Sequence, residues 1–581
     1  MELIEEKKKK QYFIPVIILL IGMFFTVVNI GERKLWVDEC VSAYLAKNIV
    51  EYGYPSVYDG TYYKSVANGN DSNNDGVEVW YSWFTMYLQA LFIALFGTSE
   101  FAIRLPTSIL GWLSMLYLFL SLRKMTTSSF IQNITLIAYV CCVPIIIYIR
   151  SAHYYSGSLC FTTMSLFYFL RILESSEKKI DSIFFSLSLI LLFHSNYFLF
   201  IIPATSYLLY AFIKCRQKKV WIKLLITYGI AFLFTAPWFL YITLTSKGYK
   251  AGVILGLTGV EDMFQKLSIY ICKFQAYFTP ICVLIIILFA LKFISKCLKV
   301  TSNEKRNSYM LILPLTFVFV CLFVSVILEP FPQTRRILTV IPMIIFLSSC
   351  IIYEIILISK IIGYTIIPIV LFTNWFNVMP WKIISHFDIP VCNSLFIQSP
   401  ITLQTLLPDN AYSYAINECK YEIPLYNFYN EISKKFVCRS DAIIEYLQEY
   451  SKPGETVICA TIEAPKIYYY TGLKIVKQLD IDGGVWGPLG PYYFHDYPNS
   501  RRKRNFDYIQ DHEIDWILSQ DLVAFTFDDK DYFKKNRAYY EKIEIDAPNT
   551  FIDNTAEMDC HYFVSREKCK NINIYKRKNQ Q

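Results

Sequence analysis

Apolar residues along this chain gather in runs of about 20 separated by short polar segments, the length of helix that crosses ~30 Å of hydrocarbon. The first run is Tyr12 to Ile30, and the next of full length is Phe101 to Leu122. Further runs follow at 130–149, 156–172, 182–196, 198–213, 221–243, 267–294, 308–328, 336–357 and 361–379. The pattern therefore predicts an α-helical polytopic membrane protein with about eleven spans. Phe84 to Phe96 is apolar but too short to cross, and reads as an interfacial or half-inserted helix. The stretch 182–213 is one long run, split at His194 to Asn196.

From about Trp381 the long runs stop and a mixed pattern begins that folds in water. Asp441 to Glu449 has helical spacing through Ile443, Ile444 and Leu447, Lys452 to Glu455 is a turn, and Thr456 to Ala460 reads as a buried strand. Tyr468 to Val476 reads as another strand with a glycine turn. The chain divides into a membrane module, 1–380, with an outer loop at 31–83, and a soluble α/β domain, 381–581.

The 56 Lys and Arg exceed the 48 Asp and Glu by a formal +8. Their placement between apolar runs follows the positive-inside rule, and no basic stretch is interleaved with base-stacking aromatics, so a nucleic-acid partner is excluded. Lys7 to Lys10 before the first run read as the cytoplasmic flank of a retained signal-anchor. An odd number of spans then puts loop 31–83 and the C-terminal domain on the extracytoplasmic side. The setting fits a bacterial inner membrane, and a lumenal site in the endoplasmic reticulum is physically equivalent. Of 16 cysteines, ten precede residue 351, mostly inside apolar runs. Six (Cys392, Cys419, Cys438, Cys459, Cys560 and Cys569) lie in the polar part, where an oxidising compartment permits disulfides.

The acidic pair Asp38-Glu39 stands where the first span emerges, in LWVDECVSAYLAKNIVEYGYP (Leu35 to Pro55). A carboxylate is costly beside hydrocarbon, so the pair is either a solvated loop feature or a working group. At a membrane surface it can act as a general base towards a hydroxyl or amine.

This stretch resembles the first outer loop of the C-type membrane glycosyltransferases, the superfamily of protein O-mannosyltransferases and the lipid A aminoarabinose transferase. Two further segments are similar to that superfamily in order and spacing: LFGTSEFAIRLPTSILGWLSMLYLFL (Leu95 to Leu120) and IYIRSAHYYSGSLCFTTMSLFYF (Ile147 to Phe169). Together they cover Gly31 to Leu173, and the rest of the chain matches in general plan only. The resemblance implies a glycosyltransferase using a polyprenyl-phosphate sugar donor, an extracytoplasmic acceptor (glycan, lipid or protein), inversion at the anomeric carbon, and Asp38 as base with Glu39 beside it. Arg104 matches the superfamily's arginine in the second segment, which implies a substrate contact, with anchorage of the helix as the alternative. Arg150, Arg335 and Arg336, at outer span ends, are candidates for the donor phosphate, with snorkelling anchorage as the alternative. His153, Tyr154 and Tyr155 stand where relatives carry a second arginine and an aspartate, and are read as cavity walls or substrate contacts.

Before the short helix, relatives carry a Lys or His and two prolines, whereas this chain has DGVEVWYSWFTMYLQ (Asp75 to Gln89). Glu78 is the nearest acid, and a divalent metal held loosely by Glu78 near Asp38 would help to neutralise a phosphate. Asp71 to Gly76 resembles the start of a calcium loop, but its twelfth position is Ser82 rather than glutamate, which favours a solvated loop. The six histidines have no metal-binding spacing, and the chain has no Walker or G-x-G-x-x-G motif. The competing functions are a transporter or flippase of lipid-linked substrates and a polysaccharide polymerase. Spans nearly free of Asp and Glu, with acids in the first loop, favour surface chemistry over passage through the midplane.

Overall fold

The computed structural model describes residues 2–57, 63–64, 72–73, 75–174, 178–245, 260–297, 310–328, 333–385, 390–393, 400–402, 421–433, 439–452, 454–460, 464–479, 494–495, 514–518, 537–547 and 570–578. The apolar periodicity becomes a helical module opening with α1 (Glu2–Val27) and α2 (Val37–Tyr52). Next come α3 (Phe84–Phe96), α4 (Glu100–Met125), α5 (Ser129–Val140), α6 (Val143–Arg150) and α7 (Tyr155–Leu173). It continues with α8 (Lys179–Ser195), α9 (Tyr197–Lys214) and α10 (Lys218–Thr245). The later helices are α11 (Val260–Lys273), α12 (Ile281–Cys297), α13 (Ile312–Leu328), α14 (Ile341–Ile358), α15 (Lys360–Phe372) and α16 (Trp375–Ser385).

Local chemistry sets the ends of these helices. Ser99 Oγ accepts from the Ala102 N–H at the start of α4, where Glu100 sits in the first turn and Arg123 and Lys124 in the last, matching the helix dipole. Asn196 Oδ1 accepts from the Leu199 N–H at 2.9 Å, which caps α9 and explains the split of the long run 182–213. Gly111 lets α4 and α6 touch: a Cβ there would stand 2.0 Å from Ile149 Cγ2.

Among the described residues, five helices are long and apolar enough to cross a membrane, or seven if each of two bent pairs counts as one span. The expected span 130–149 is broken between α5 and α6 by a 57° bend, at the Cys141-Cys142 step just ahead of Pro144. The expected span 267–294 turns by 87° before α12, after a π-helical turn at Phe274–Phe278. The runs assigned to spans at 12–30, 308–328 and 361–379 correspond to helices of 17 residues or fewer in their apolar part. Of the about eleven spans expected, five to seven thus meet the length and composition of a crossing among the described residues, and the others correspond to shorter apolar helices.

The C-terminal part begins with α17 (Pro424–Ser433) and α18 (Arg439–Tyr450). A five-stranded sheet follows from β4 (Thr456–Ala460), β5 (Lys474–Leu479), β7 (Trp516–Leu518), β8 (Tyr540–Ala547) and β9 (Lys570–Arg577), in the order β5-β4-β7-β9-β8. β4 runs parallel to β5 and β7, while β9 is antiparallel to β7 and β8. Two short pairs complete the strands: β2 (Pro390–Asn393) with β3 (Pro400–Thr402), and β1 (Tyr63–Lys64) with β6 (Phe494–His495). The sheet core holds Ile443, Ile444 and Leu447 of α18 against Val457, Cys459 and Trp516.

One expectation is corrected here: Tyr468 to Tyr470 belong to α19 (Ala464–Thr471), not to a strand. Strand begins only at Lys474, after Gly472 in left-handed backbone (φ 66°). Cys459 is a buried free thiol, while Cys419, Cys438, Cys560 and Cys569 lie outside the described residues, as do the side chains of Lys7 to Lys10.

Candidate active site

α2 begins where the chain turns back from the end of α1, and its first turn carries the two acids. Glu39 reaches back along that turn: its Oε2 accepts from the Trp36 N–H at 3.0 Å, satisfying one of the amides that a helix start leaves without a partner. At its far end α2 stops at Gly53, whose positive φ (83°) lets its N–H close on Ile49 O at 2.8 Å.

The two carboxylates then part company. Glu39 is 1% exposed and accepts four hydrogen bonds. Besides Trp36 N–H, they come from Arg104 Nε (2.8 Å, to Oε1), Arg104 Nη2 (2.7 Å, to Oε2) and the Ala152 N–H (2.7 Å). Arg104 uses its remaining donors on Ile30 O, Arg33 O and Lys34 O, so its five N–H groups make five bonds within the protein. The expectation that Arg104 contacts substrate therefore gives way to an anchoring geometry that fixes loop 30–39 to α4. Glu39, expected beside the base, is walled off from solvent with both oxygens engaged.

Asp38 points the other way. Its Oδ2 lies 2.9 Å from Arg335 Nη1, with both side chains about one-fifth exposed. Arg335 Nε donates to Gln333 Oε1 at 2.8 Å, which orients the guanidinium. Arg336, next along the 3-10 turn Thr334–Val340, lies over the Phe198 ring, 5.3 Å from its centroid.

A third strand of the site comes from the turn between α6 and α7. Ser151 Oγ meets Trp36 Nε1 at 3.3 Å, Ala152 N–H holds Glu39, and Gln89 Nε2 of α3 donates to Ala152 O at 2.7 Å. His153 is 2% exposed, and its Nδ1 is 2.7 Å from Ser42 Oγ, one helical turn beyond Asp38 on α2. Tyr81, Tyr154 and Tyr155 surround the imidazole with ring centroids at 5.3, 4.4 and 5.1 Å. Its Nε2 is buried with no hydrogen-bond partner among the described residues. Burial, then the charges of Arg335 and Arg336, hold the ring well below the usual histidine range, so it is neutral at physiological pH.

The structure thus brings Asp38, Arg335, Arg336, His153, Tyr154 and Tyr155 into one neighbourhood. It does not bring Arg150 there. Arg150 donates to Phe25 O at 2.8 Å, lies over Phe428, and borders a cavity of about 40 Å³ on the Glu39–Arg104 side of the site, lined also by Trp36, Ser151, Arg33 and Glu431. Glu78 is fully buried, with Oε1 accepting from Trp80 N–H and Tyr81 N–H at 2.7 and 3.0 Å, and so shapes the turn into α3. Among the described residues no three His, Cys, Asp or Glu side chains gather in a way that could hold a metal ion, so the expected metal at Glu78 has no matching donor set. Of the calcium-like stretch, Asp71 and Asn74 lie outside the described residues. Asn73 Oδ1 accepts from Asp75 and Val77 N–H, which is an Asx turn.

Ser42, Tyr81, Gln89, Ser151 and Gln333 were not read from the sequence as site residues. Ser42 had a signal, since a residue four positions from Asp38 lies on the same helical face. Gln89 had none.

Residues 82–241 match the family model described as dolichyl-phosphate-mannose-protein mannosyltransferase. The fold is similar to that of ArnT from Cupriavidus metallidurans, bound to undecaprenyl phosphate, which superposes with a TM-score of 0.51 at 12% identity, covering 80% of this chain and 85% of that one. Its apo form gives the same TM-score at 13% identity and the same coverage. The archaeal oligosaccharyltransferase AglB from Archaeoglobus fulgidus, in complex with an inhibitory peptide and a dolichol-phosphate, aligns with a TM-score of 0.45 at 11% identity, over 80% of this chain and 64% of its own. No curated protein matches the chain by sequence. The family model supports the superfamily resemblance over residues 82–173 of the segment Gly31 to Leu173, and the likeness to ArnT supports it at the level of fold.

Proposed function

We propose that the protein transfers a sugar from a polyprenyl-phosphate donor to an extracytoplasmic acceptor (a glycan, lipid or protein), with Asp38 as general base. The observation that carries this reading is the Asp38–Arg335 pair at 2.9 Å, partly open to solvent, at the mouth of an ArnT-like helical module. In the reaction the acceptor hydroxyl gives its proton to Asp38 Oδ while its oxygen forms the new bond to the anomeric carbon. The bond from that carbon to the phosphate oxygen breaks on the opposite face, and polyprenyl phosphate leaves with the electron pair, so the anomeric centre inverts. Arg335, paired with Asp38 at 2.9 Å, is the cation nearest the base and the proposed contact for the departing phosphate. Arg336 adds a second cation, and Tyr154 and Tyr155 wall the space around His153. Glu39 and Arg104 act by fixing the turn that presents Asp38. A bacterial inner membrane, with loop 31–83 and the C-terminal domain outside, completes the reading.

The test is turnover of a panel of polyprenyl-phosphate sugars by the full chain in lipid nanodiscs, beside Asp38→Asn. Release of polyprenyl phosphate by the wild type, with donor binding but no turnover in Asp38→Asn, supports both the reaction and the base. Absence of any donor binding by the wild type overturns the reading in favour of a transporter.

A further inference from the structure

The segment leading into α2 is held from the C-terminal part of the chain as well as from the membrane module. Asn29 Nδ2 donates to Ile432 O at 2.8 Å, and Arg33 pairs with the buried carboxylate of Glu431 in α17. Lys34 stands 5.3 Å from the Tyr470 ring centroid and 3.8 Å from Glu445. The tightest point of attachment is the Tyr470 hydroxyl, on α19. It accepts from the Leu35 N–H at 2.6 Å and lies 3.0 Å from Glu100 Oε1, the first residue of α4.

The chemistry fixes the direction of both bonds. An amide can only donate, so the phenol proton goes to Glu100. Burial holds that phenol far above its ordinary range, so it stays protonated and keeps the donor role. Leu35 is fully buried and precedes the helix, so its N–H has no helical acceptor and depends on Tyr470. Asp38 is three residues further on. Its neighbour Glu39 is pinned to Arg104 and Ala152 from the membrane module, and the Leu35 N–H is the point at which the C-terminal part bonds directly to the backbone leading into that turn.

We propose that Tyr470 is a positioning residue for Asp38: the C-terminal part locks the entry of α2 against the start of α4 and so aims the base. This rests on Asp38 being the base, as proposed above. It gives the C-terminal domain a role in the geometry of the reaction, separate from any contact with the acceptor.

Tyr470→Phe keeps the ring and deletes both hydrogen bonds. In the full chain, kcat should fall about 10- to 100-fold with the KM for donor within about twofold, because a small misplacement of a reacting group acts on turnover rather than on binding. Tyr469→Phe, which loses only the 3.4 Å bond to Thr98 O, should behave as wild type. Amide exchange at Leu35 to Cys40 should quicken about tenfold in Tyr470→Phe and stay unchanged in Tyr469→Phe. Wild-type kcat in Tyr470→Phe overturns the proposal, as does a loss of donor affinity equal to the loss of kcat. If the wild type turns over no donor, the reaction assignment fails instead, and the exchange result decides the positioning by itself: unchanged exchange rejects it.

Discussion

Asp38 and Glu39 are the same chemistry one residue apart, and the fold puts them in opposite situations. Glu39 faces inward, is 1% exposed and has a bidentate arginine and two backbone amides on its oxygens. Asp38 faces the site, is about one-fifth exposed and shares a single guanidinium with Gln333. The two acids therefore differ in access: one is enclosed by its partners, and the other is partly open to solvent. On the proposed reading, Asp38 does the chemistry and Glu39, bonded to Arg104 and Ala152, holds the turn that presents it.

The comparison can be broken by exchanging the losses. Asp38→Asn should lower turnover by about 10²- to 10⁴-fold, the span expected for removing a general base, with little change in the unfolding midpoint. Glu39→Ala should do the reverse in order of magnitude: it leaves Arg104 buried and unpaired, at about 3–5 kcal/mol, visible as a lower midpoint and a smaller folded yield. If Asp38→Asn destabilises the protein and Glu39→Ala does not, the assignment is inverted.

Arg335→Gln sharpens it further. It removes the cation beside Asp38, and turnover should fall about 10- to 100-fold, measured with donor saturating, while Arg104→Gln should behave like a fold mutant. The smallest effect concerns His153. Its ring is held below the ordinary value near 6.5, so below about pH 6.5 the unfolded chain takes up a proton that the native protein refuses. Stability should thus fall as pH drops from 6.5 towards 5, by at most about 1.4 kcal/mol per pH unit from this group. His153→Gln should flatten that slope in unfolding measured across the same range.

Much of the site was legible in the sequence because it is local. Asp38 and Glu39 follow an apolar run, and the turn at His153 to Tyr155 follows another. The errors have physical causes too. Tyrosine favours strands, yet Tyr468 to Tyr470 form α19, whose inner face packs on the first loop and the sheet core; tertiary burial overrode propensity. Hydropathy averages over a window, so it passed across the breaks at 141–142 and 279–280, where the chain bends without losing apolar character. Arg104 matched a motif, but its five internal bonds are visible only in three dimensions.

The sequence by itself determined that this chain enters a membrane repeatedly, that its polar part begins near residue 381, and that an acidic pair stands at the first exit. Those are properties of composition and spacing, and hydrocarbon enforces them whatever the rest of the chain does. Only the tertiary structure decided which acid is exposed, that Arg335 reaches Asp38 across 297 residues, and that Tyr470 reaches Leu35 across 435. Such pairings depend on how helices pack and where side chains find their remaining partners, and no periodicity in the chain encodes that directly.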